Sequence, residues 1–362
     1  MEFVYPDYSS RSIYNLACGI AEFLGVNRQC KGNKIGITGK RLVLALIDGM
    51  GYKMMEKAGI NVDTYITTVF PSTTATVITT LFTAQLPGEH GILGYTTYSK
   101  KLGSVINTLK YTYPLIDSRD SISSQVKYST LFPEAKSYLA EVTDKNTAGV
   151  ILKGLNDTEF TNMTHGKVKV TKTYSTYFDA FHELNNALNE NYDFVYFYIP
   201  DVDTLAHKHG PNTEVVKETI KDIYGRLSKL AALRREYEFV IIADHGHVQT
   251  REHVIFNNDT EFLNILDLPP YGDSRAIFLH SKYDLKTYLY SKYPSLKVFP
   301  RNEFEKLLGK EGSYADFIAV PDDDKAYVYL FKQQQDDYTK LIGHHGGLSE
   351  DEMKIPLVIM NG

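Results

Sequence analysis

Four short runs along the chain are apolar at every position rather than at alternate ones. They extend from Leu42 to Ile47, Phe194 to Ile199, Phe239 to Ala243 and Ile355 to Met360. A continuous apolar run is typical of a strand covered on both faces, as in a parallel sheet between layers of helices. The pattern therefore predicts four buried strands of a parallel sheet.

Segments with helical spacing lie between these runs. The clearest extends from Thr213 to Leu233, where apolar residues recur mostly at intervals of three and four: Val215, Val216, Ile220, Ile223, Leu227 and Leu230. Strands that alternate with amphipathic helices are typical of α/β proteins. The predicted fold is α/β, with a doubly wound, mostly parallel central sheet and helices on both faces.

Residues 254–342 show a different pattern of predicted elements, which are shorter than those of the rest of the chain. Short strand-like pieces, Ala276 to Leu279 and Tyr327 to Leu330, accompany a charged helix-like piece at Phe304 to Leu308. We interpret this stretch as a small inserted α+β cap. Residues 1–253 and 343–362 would then form the core domain.

Composition limits the kinds of binding partner and the cellular compartment that we expect for this protein. The formal net charge of −5 over 362 residues gives no general attraction to nucleic-acid duplexes or anionic lipid, so any phosphate binding must be local. Cys18 and Cys30 are too few for a disulfide framework, and we expect two ordinary, partly buried cysteines in a reducing compartment. No signal peptide or membrane-spanning run is apparent. We predict a soluble cytoplasmic protein and make no prediction of its oligomeric state.

Potential metal ligands cluster around the predicted strands. In open α/β sheets, ligands bind beyond the carboxyl ends of the strands, so residues distant in sequence meet at one edge. Asp203 and His207 are four positions apart, which places both on one face of a helix. Taken singly, each residue could belong to a turn or a solvated face, and His209 and His247 are expected to face solvent or to support a neighbouring ligand. The candidates are Asp48, Asp203, His207, Asp244, His245 and His345.

The segment from Phe70 to Thr80 supplies a possible nucleophile. Ser and Thr before an apolar run predict that a helix begins near Ser72 or Thr73. A hydroxyl in its first turn would lie where free N–H groups attract a phosphate, although the same residues could simply cap the helix. Two nearby divalent ions would favour the alkoxide form of that hydroxyl.

Four motifs together resemble the type I phosphodiesterase/nucleotide pyrophosphatase family of the alkaline phosphatase superfamily. The first combines Pro71-Ser72-Thr73-Thr74 with Pro87-Gly88-Glu89-His90-Gly91 and is similar to the nucleophile segment of the family. The others are similar to its metal-binding segments, and the last of them selects His345 over His344: Asp203 to His207, Asp244-His245-Gly246 and Gly343-His344-His345-Gly346. The resemblance spans about residues 40 to 250 and 343 to 360, leaving the cap outside it.

The resemblance implies a two-metal site. One divalent ion would bind Asp203, His207 and His345, and the other Asp48, Asp244 and His245 together with the oxygen of Thr74. This ligand mixture suits Zn2+, with Mn2+ or Fe as alternatives. Thr74 would be the nucleophile, or Thr73 if the register slips by one. Tyr95 replaces an asparagine that usually holds a phosphate oxygen in the family, so Tyr95 is the predicted substrate-binding residue.

The implied function is hydrolysis of phosphodiester or nucleotide pyrophosphate bonds in small-molecule substrates, through a phosphothreonine intermediate. A phosphomonoesterase, phosphonate hydrolase or phosphomutase could use a closely related site. From another class, a non-catalytic metal-binding module remains an alternative, and such a module would hold one ion or none.

Overall fold

The computed structural model describes residues 1–332 and 336–361, without the side chains of residues 336 and 337. Its strands are, in chain order, β1 Leu42–Ile47, β2 Tyr65–Thr67, β3 Thr96–Ser99, β4 Ser104–Asn107, β5 Thr147–Leu152, β6 Val170–Tyr174, β7 Phe194–Ile199, β8 Glu238–Ile242, β9 Val248–Gln249, β10 Glu252–Ile255, β11 Tyr271–Asp273, β12 Ala276–Leu279, β13 Leu296–Pro300, β14 Phe317–Pro321, β15 Lys325–Val328, β16 Gly343–His344 and β17 Lys354–Met360.

The α-helices are α1 Ile13–Phe23, α2 Tyr52–Lys57, α3 Thr74–Thr83, α4 Pro87–His90, α5 Tyr128–Leu131, α6 Glu159–Met163, α7 Tyr177–Asn189, α8 Asp201–His209, α9 Glu214–Leu233, α10 Thr260–Asn264, α11 Leu285–Lys292, α12 Phe304–Leu308, α13 Asp336–Thr339 and α14 Glu350–Met353. Short 3-10 turns occur at Tyr138–Glu141, His165–Lys167, Phe256–Asn258 and Arg301–Glu303. Within the described ranges, none of the helices has both the length and the apolar character needed to cross a bilayer.

A seven-stranded sheet forms the centre of the protein, in the order β2-β17-β8-β1-β7-β5-β6. Strands β8, β1, β7, β5 and β6 run parallel. Every residue of β1, β7 and β8 is buried, as expected for continuous apolar runs between two layers. The first two predicted strands match in both bounds, and the third begins and ends one residue early. The mostly parallel α/β fold is thus confirmed.

The fourth predicted strand exists, but its predicted direction is wrong. β17 pairs antiparallel with both β8 and β2. The preceding segment carries His345 at the edge where the parallel strands end, and β17 begins only nine residues later. A parallel strand would have to start at the opposite edge, which requires a crossover of about a dozen residues or more. The chain therefore re-enters the sheet from the site edge.

Helix α3 is unusual because it is rich in threonine and all ten of its residues are buried. Part of that polarity is satisfied within the helix: the hydroxyls of Thr79 and Thr83 each donate to the carbonyl oxygen four residues earlier, at 2.7 Å. Such bonds let threonine occupy a buried helix face at little cost. The helix begins at Thr74, within two residues of the predicted start.

Smaller sheets occupy the region after β9. A four-stranded antiparallel sheet has the order β11-β12-β14-β13, and β10 pairs with β15. The predicted strand at Ala276 to Leu279 and the helix at Phe304 to Leu308 match β12 and α12, whereas the strand placed at 327–330 lies at Lys325–Val328. The division into a core of 1–253 and 343–362 and a cap of 254–342 stays a prediction.

The expectation of two ordinary cysteines is wrong. Cys18 on α1 and Cys30 in the following loop form a disulfide, with their Cα atoms 6.3 Å apart. The loop returns alongside α1, where Ile35 N donates to Asn15 O at 3.0 Å. This return brings the second cysteine within bonding distance of the first, a proximity that cysteine count alone does not reveal.

Candidate metal centre

The predicted ligands meet at the carboxyl edge of the parallel strands. Asp48 follows β1, Asp244 and His245 follow β8, and Asp203 and His207 lie on α8 just beyond β7. His345 follows β16. The turn after Asp48 requires glycine: Gly49 has a φ of +73°, and a Cβ there would lie 2.7 Å from His247 Nε2. The Asp-Gly pair thus forms a tight turn and also presents a candidate ligand.

The first ligand group consists of Asp203, His207 and His345, each offering one ligand atom within 4.8 Å of the others. His207 Nε2 lies 3.3 Å from Asp203 Oδ1, and His345 Nε2 lies 3.9 Å from the same oxygen. Both Asp203 and His207 are on α8, so the predicted placement on one helix face is observed.

The second group consists of Asp48, Asp244 and His245, again with ligand atoms within 4.8 Å of one another. His245 Nε2 lies 3.5 Å from Asp48 Oδ1 and 3.4 Å from Asp244 Oδ2. Both of these carboxylate oxygens are buried and lack a hydrogen-bond partner among the described residues. Buried oxygens without partners are costly unless something else binds them.

The three histidines share one arrangement of their imidazole rings. Nδ1 of His207, His245 and His345 lies 2.7, 3.1 and 3.1 Å from the carbonyl oxygens of Gly343, Gly246 and Ser72. A carbonyl oxygen can only accept, so each Nδ1 carries the proton and each Nε2 presents its lone pair. This is the tautomer that binds metal through Nε2.

Several of the candidate ligands at this edge of the sheet have pKa values shifted from their usual range. Burial, together with the charge of Asp244, raises the pKa of Asp48 well above its usual range. Burial also opposes ionisation of Asp203, but His207 and His247 outweigh it and hold the pKa of Asp203 well below its usual range. Burial and the neighbouring His245 lower the pKa of His345. Crowded carboxylates, imidazoles and unpartnered oxygens form a donor set that fits divalent cations.

Thr74 is the first residue of α3, and its hydroxyl oxygen lies 3.2 Å from His245 Nε2. Thr73, the alternative nucleophile, is the N-cap residue, and its hydroxyl lies 3.4 Å from Asp273 Oδ1 instead. The Thr73 side chain makes no capping hydrogen bond, so the simple capping interpretation is not supported. Of the two hydroxyls, Thr74 therefore faces the ligand groups.

The segment before α3 is hydrogen-bonded to the loop that contains His345. Ser72 N donates to Gly346 O at 3.2 Å, and Ser72 Oγ donates to Gly347 O at 2.8 Å. His345 in turn donates through Nδ1 to Ser72 O. This short antiparallel bridge positions the Thr74 hydroxyl relative to His345.

A family model, type I phosphodiesterase/nucleotide pyrophosphatase, matches residues 50–347. The chain belongs to the type I phosphodiesterase/nucleotide pyrophosphatase family. The resemblance inferred from the four motifs is therefore confirmed, and the matched range also runs through the predicted cap. Since the enzymes of this family are hydrolases, the interpretation as a non-catalytic binding module is not supported.

Two solved structures of hydrolases share the fold of this chain. Murine ectonucleotide pyrophosphatase/phosphodiesterase 5, in an inactive form in complex with AMP, has a TM-score of 0.64 at 16% identity, covering 89% of this chain and 88% of that chain. Phosphonoacetate hydrolase from Sinorhizobium meliloti, in complex with phosphonoformate, has a TM-score of 0.66 at 14% identity, covering 88% and 89%. A search of curated proteins gave no match.

This phosphodiesterase-family protein has a cavity of about 740 Å³ that is connected to the site through Asp273, whose Oδ1 lies 3.4 Å from the Thr73 hydroxyl, although no candidate metal ligand lines it. Its walls include Tyr95, the predicted substrate-binding residue, as well as Asp273 and Lys110. Tyr95 is half-buried, and its backbone N–H donates to Asp273 Oδ2 at 3.1 Å. The structure thus places Tyr95 at a cavity large enough for a small-molecule substrate.

His209 and His247 were expected either to face solvent or to support a neighbouring ligand. His247 follows the second alternative, since it is buried and its Nε2 lies 3.0 Å from Asp203 Oδ1. His209 follows the first, since it is exposed. His344 forms hydrogen bonds with Ser274 and His253 and is not a member of either ligand group, which agrees with the choice of His345.

Two further contacts had little sequence signal. The Tyr198 hydroxyl donates to Asp48 Oδ2, so only Oδ1 of that carboxylate is left without a partner. Tyr198 is one of two phenols in the apolar strand β7, and nothing in the sequence distinguishes its role from that of Tyr196. Asp273 was not among the predicted site residues, and only the tertiary structure brings it beside Thr73.

Proposed function

We propose that this protein is a two-metal hydrolase that cleaves phosphodiester or nucleotide pyrophosphate bonds through a phosphothreonine at Thr74. The observation that carries the proposal is the position of the Thr74 hydroxyl, 3.2 Å from His245 Nε2 within one of two adjoining ligand groups. Family membership supports the reaction class. AMP in the murine neighbour and the cavity beside Tyr95 support a small nucleotide or phosphate ester as substrate.

The side chains fit two divalent ions, with Zn2+ as the proposed metal because carboxylates and imidazoles are both present. Asp203, His207 and His345 would hold one ion, and Asp48, Asp244 and His245 the other. Bound there, such ions lower the pKa of a coordinated oxygen and stabilise charge on the attacking and leaving oxygens.

Thr74 attacks phosphorus in line with the leaving oxygen, so that one P–O bond forms while the ester or pyrophosphate P–O bond breaks. The free N–H groups at the start of α3 point toward the phosphoryl oxygens and stabilise their charge. Water then cleaves the phosphothreonine from the opposite side, which regenerates Thr74. The hydrogen bonds of Ser72 to Gly346 and Gly347 keep Thr74 and His345 in register throughout.

Thr74→Ala tests the proposal, with Thr76→Ala as a matched control. Thr76 is buried in the same helix, and its hydroxyl lacks a hydrogen-bond partner in the described structure, so its removal leaves nothing unsatisfied. We expect Thr74→Ala to lose turnover of a chromogenic diester by at least about a thousandfold, whereas Thr76→Ala stays close to the parent. Mass spectrometry of quenched reactions should find the phosphoryl group, still carrying the ester group that did not leave, on the Thr74 peptide of the parent and of Thr76→Ala but not on that of Thr74→Ala.

Metal content separates loss of the nucleophile from loss of the site. Both variants should bind two ions per chain, as measured by elemental analysis after reconstitution with zinc or manganese. Full turnover by Thr74→Ala with both ions bound would contradict the proposed intermediate. Full activity after exhaustive chelation would contradict the two-metal mechanism.

A phosphonate is the second substrate class to test, because the fold is shared with phosphonoacetate hydrolase. There a P–C bond, rather than a P–O bond, would break after attack by Thr74. A panel of mono- and diesters, dinucleotides and phosphonoacetate distinguishes these reactions if both the released alcohol or nucleotide and free phosphate are measured, because cleavage of a diester yields a monoester and no free phosphate. A phosphomutase would return the phosphate to the substrate and release neither product.

The cytoplasmic location also stays a prediction, and one observation opposes it. Disulfides such as Cys18–Cys30 persist mainly in oxidising compartments. Alkylation of thiols in freshly lysed cells under denaturing conditions would decide the point. Modification of both cysteines would support a reducing compartment, and the absence of any modified cysteine would contradict it.

A further inference from the structure

Asp273 is a carboxylate in the wall of the cavity that no step of the proposed reaction uses. It ends β11 and is buried, with 9% of its surface exposed. Its two oxygens face two different segments of the site: Oδ1 accepts from the Thr73 hydroxyl at 3.4 Å, and Oδ2 accepts from Tyr95 N at 3.1 Å. Gly346, next to His345, packs so closely against Asp273 that a Cβ on Gly346 would lie 2.9 Å from the Cβ of Asp273.

Asp273 therefore touches the residue before the nucleophile, the predicted substrate-binding loop and the loop of a predicted metal ligand. Both of its hydrogen-bonding partners are neutral donors, which suits the acceptor-only, ionised form of a carboxyl group. Throughout residues 1–332 and 336–361, neither lysine nor arginine forms an ion pair with it. Its charge is thus not neutralised by a lysine or arginine in those residues, although His207 favours its ionised form. The carboxylate lies in the cavity wall, in contact with the residue before the proposed nucleophile.

The charge of the substrate differs between the reactions that such a site could catalyse. A phosphodiester carries one negative charge, whereas a monoester carries nearly two above its second pKa of about 6. Two divalent ions held by three ligand carboxylates would carry a small net positive charge before Thr74 ionises, and the carboxylate of Asp273 would offset it. A nearby carboxylate consequently disfavours the dianion more than the monoanion.

We propose that Asp273 determines substrate charge at this site, favouring monoanionic diester or pyrophosphate groups over dianionic monoesters. The inference rests on the proposed hydrolase function and deepens it, since ligand residues alone leave mono- and diesterase activity open. Burial raises the pKa of Asp273 to about 7, so assays at about pH 8.5 keep the group ionised.

The test compares p-nitrophenyl phosphate with methyl p-nitrophenyl phosphate, which share a leaving group and differ in charge. Asp273→Asn removes the charge and retains an oxygen for Tyr95 N. The control is Asp316→Asn, because Asp316 lies at the other end of the same small sheet, where its N–H bonds to Leu279. We expect Asp273→Asn to raise kcat/KM for the monoester relative to the diester by about tenfold or more, with no change of the ratio in Asp316→Asn.

An unchanged ratio in a folded Asp273→Asn protein would overturn the assignment. So would a parent enzyme that already prefers the monoester, a measurement that does not depend on whether any variant folds. If Asp273→Asn fails to fold, Asp273→Ser removes the same charge with a smaller side chain. Failure of the metal-loaded parent to hydrolyse any phosphate ester, diphosphate or phosphonate would count against the proposed function itself.

Discussion

A buried ion pair joins the small antiparallel sheet to the loops of the candidate metal centre. Arg275 and Glu352 are both completely buried, with Arg275 Nε 2.8 Å from Glu352 Oε1. Arg275 also donates to the carbonyl oxygens of Asp323 and Lys325 at 3.0 and 2.7 Å. Glu352 accepts from Gly347 N at 2.8 Å, and its backbone carbonyl accepts from Gly246 N at 3.0 Å.

The Arg275→Met variant should therefore be strongly destabilised. It keeps a similar length of side chain but leaves the charge of Glu352 and two carbonyl oxygens buried without their partner. Removing one member of a buried pair costs about 3–5 kcal/mol, which is a large part of the total stability of about 5–15 kcal/mol that is usual for a domain.

Urea denaturation of the metal-free protein, followed by far-UV circular dichroism, measures this cost without a contribution from bound ions. Arg251→Met is the matched control, since Arg251 pairs with Asp324 but its side chain is 85% exposed, and exposed pairs contribute little. Adding Glu352→Gln to Arg275→Met removes the stranded charge and should recover part of the loss, with a coupling of about 1–3 kcal/mol. A cost below about 1 kcal/mol for Arg275→Met would refute the reasoning.

Two further predictions concern single groups at the site. Tyr198→Phe removes the hydrogen bond to Asp48, so affinity for the ion at Asp48, Asp244 and His245 should fall by about 10- to 100-fold in chelator competition. Tyr196→Phe is its control because the neighbouring hydroxyl lacks a partner among the described residues, and equal affinities in the two variants would contradict the prediction. For pH, the folded pKa of Asp273, about 7, lies above its unfolded value of 3.8. The unfolded chain thus releases this proton at a lower pH than the folded protein does. The contribution of protonated Asp273 to the free energy of unfolding is therefore complete below about pH 4 and is lost as the pH rises toward 7, at up to about 1.4 kcal/mol per pH unit. Unfolding free energies of metal-free parent and Asp273→Asn should converge or cross over that range, and a constant difference would exclude the effect.

Much of the ligand set could be predicted from the sequence because its members lie beside strands that the apolar pattern reveals. The continuous apolar runs at β1, β7 and β8 predict buried parallel strands, and the carboxyl ends of such strands lie at one edge of the sheet. Asp48, Asp203 and Asp244 therefore had to approach one another once the sheet formed. The four-residue spacing of Asp203 and His207 likewise implied one helix face. The proximity of the ligand groups was thus predictable before any coordinates, although their metal-binding role stays a proposal.

The tertiary structure alone decided the features that depend on how distant segments meet. An apolar run has no direction, so β17 could be recognised as a strand but not as an antiparallel one. Asp273 ends β11, and Arg275 lies in the turn between β11 and β12. Their local sequence resembles that of any polar turn, and only packing directs Asp273 toward Thr73 and Arg275 toward Glu352. The Cys18–Cys30 pairing similarly depends on a loop that returns alongside α1. Periodicity records which face of an element is buried, whereas the partner on that face is set by long-range packing, which a local pattern does not contain.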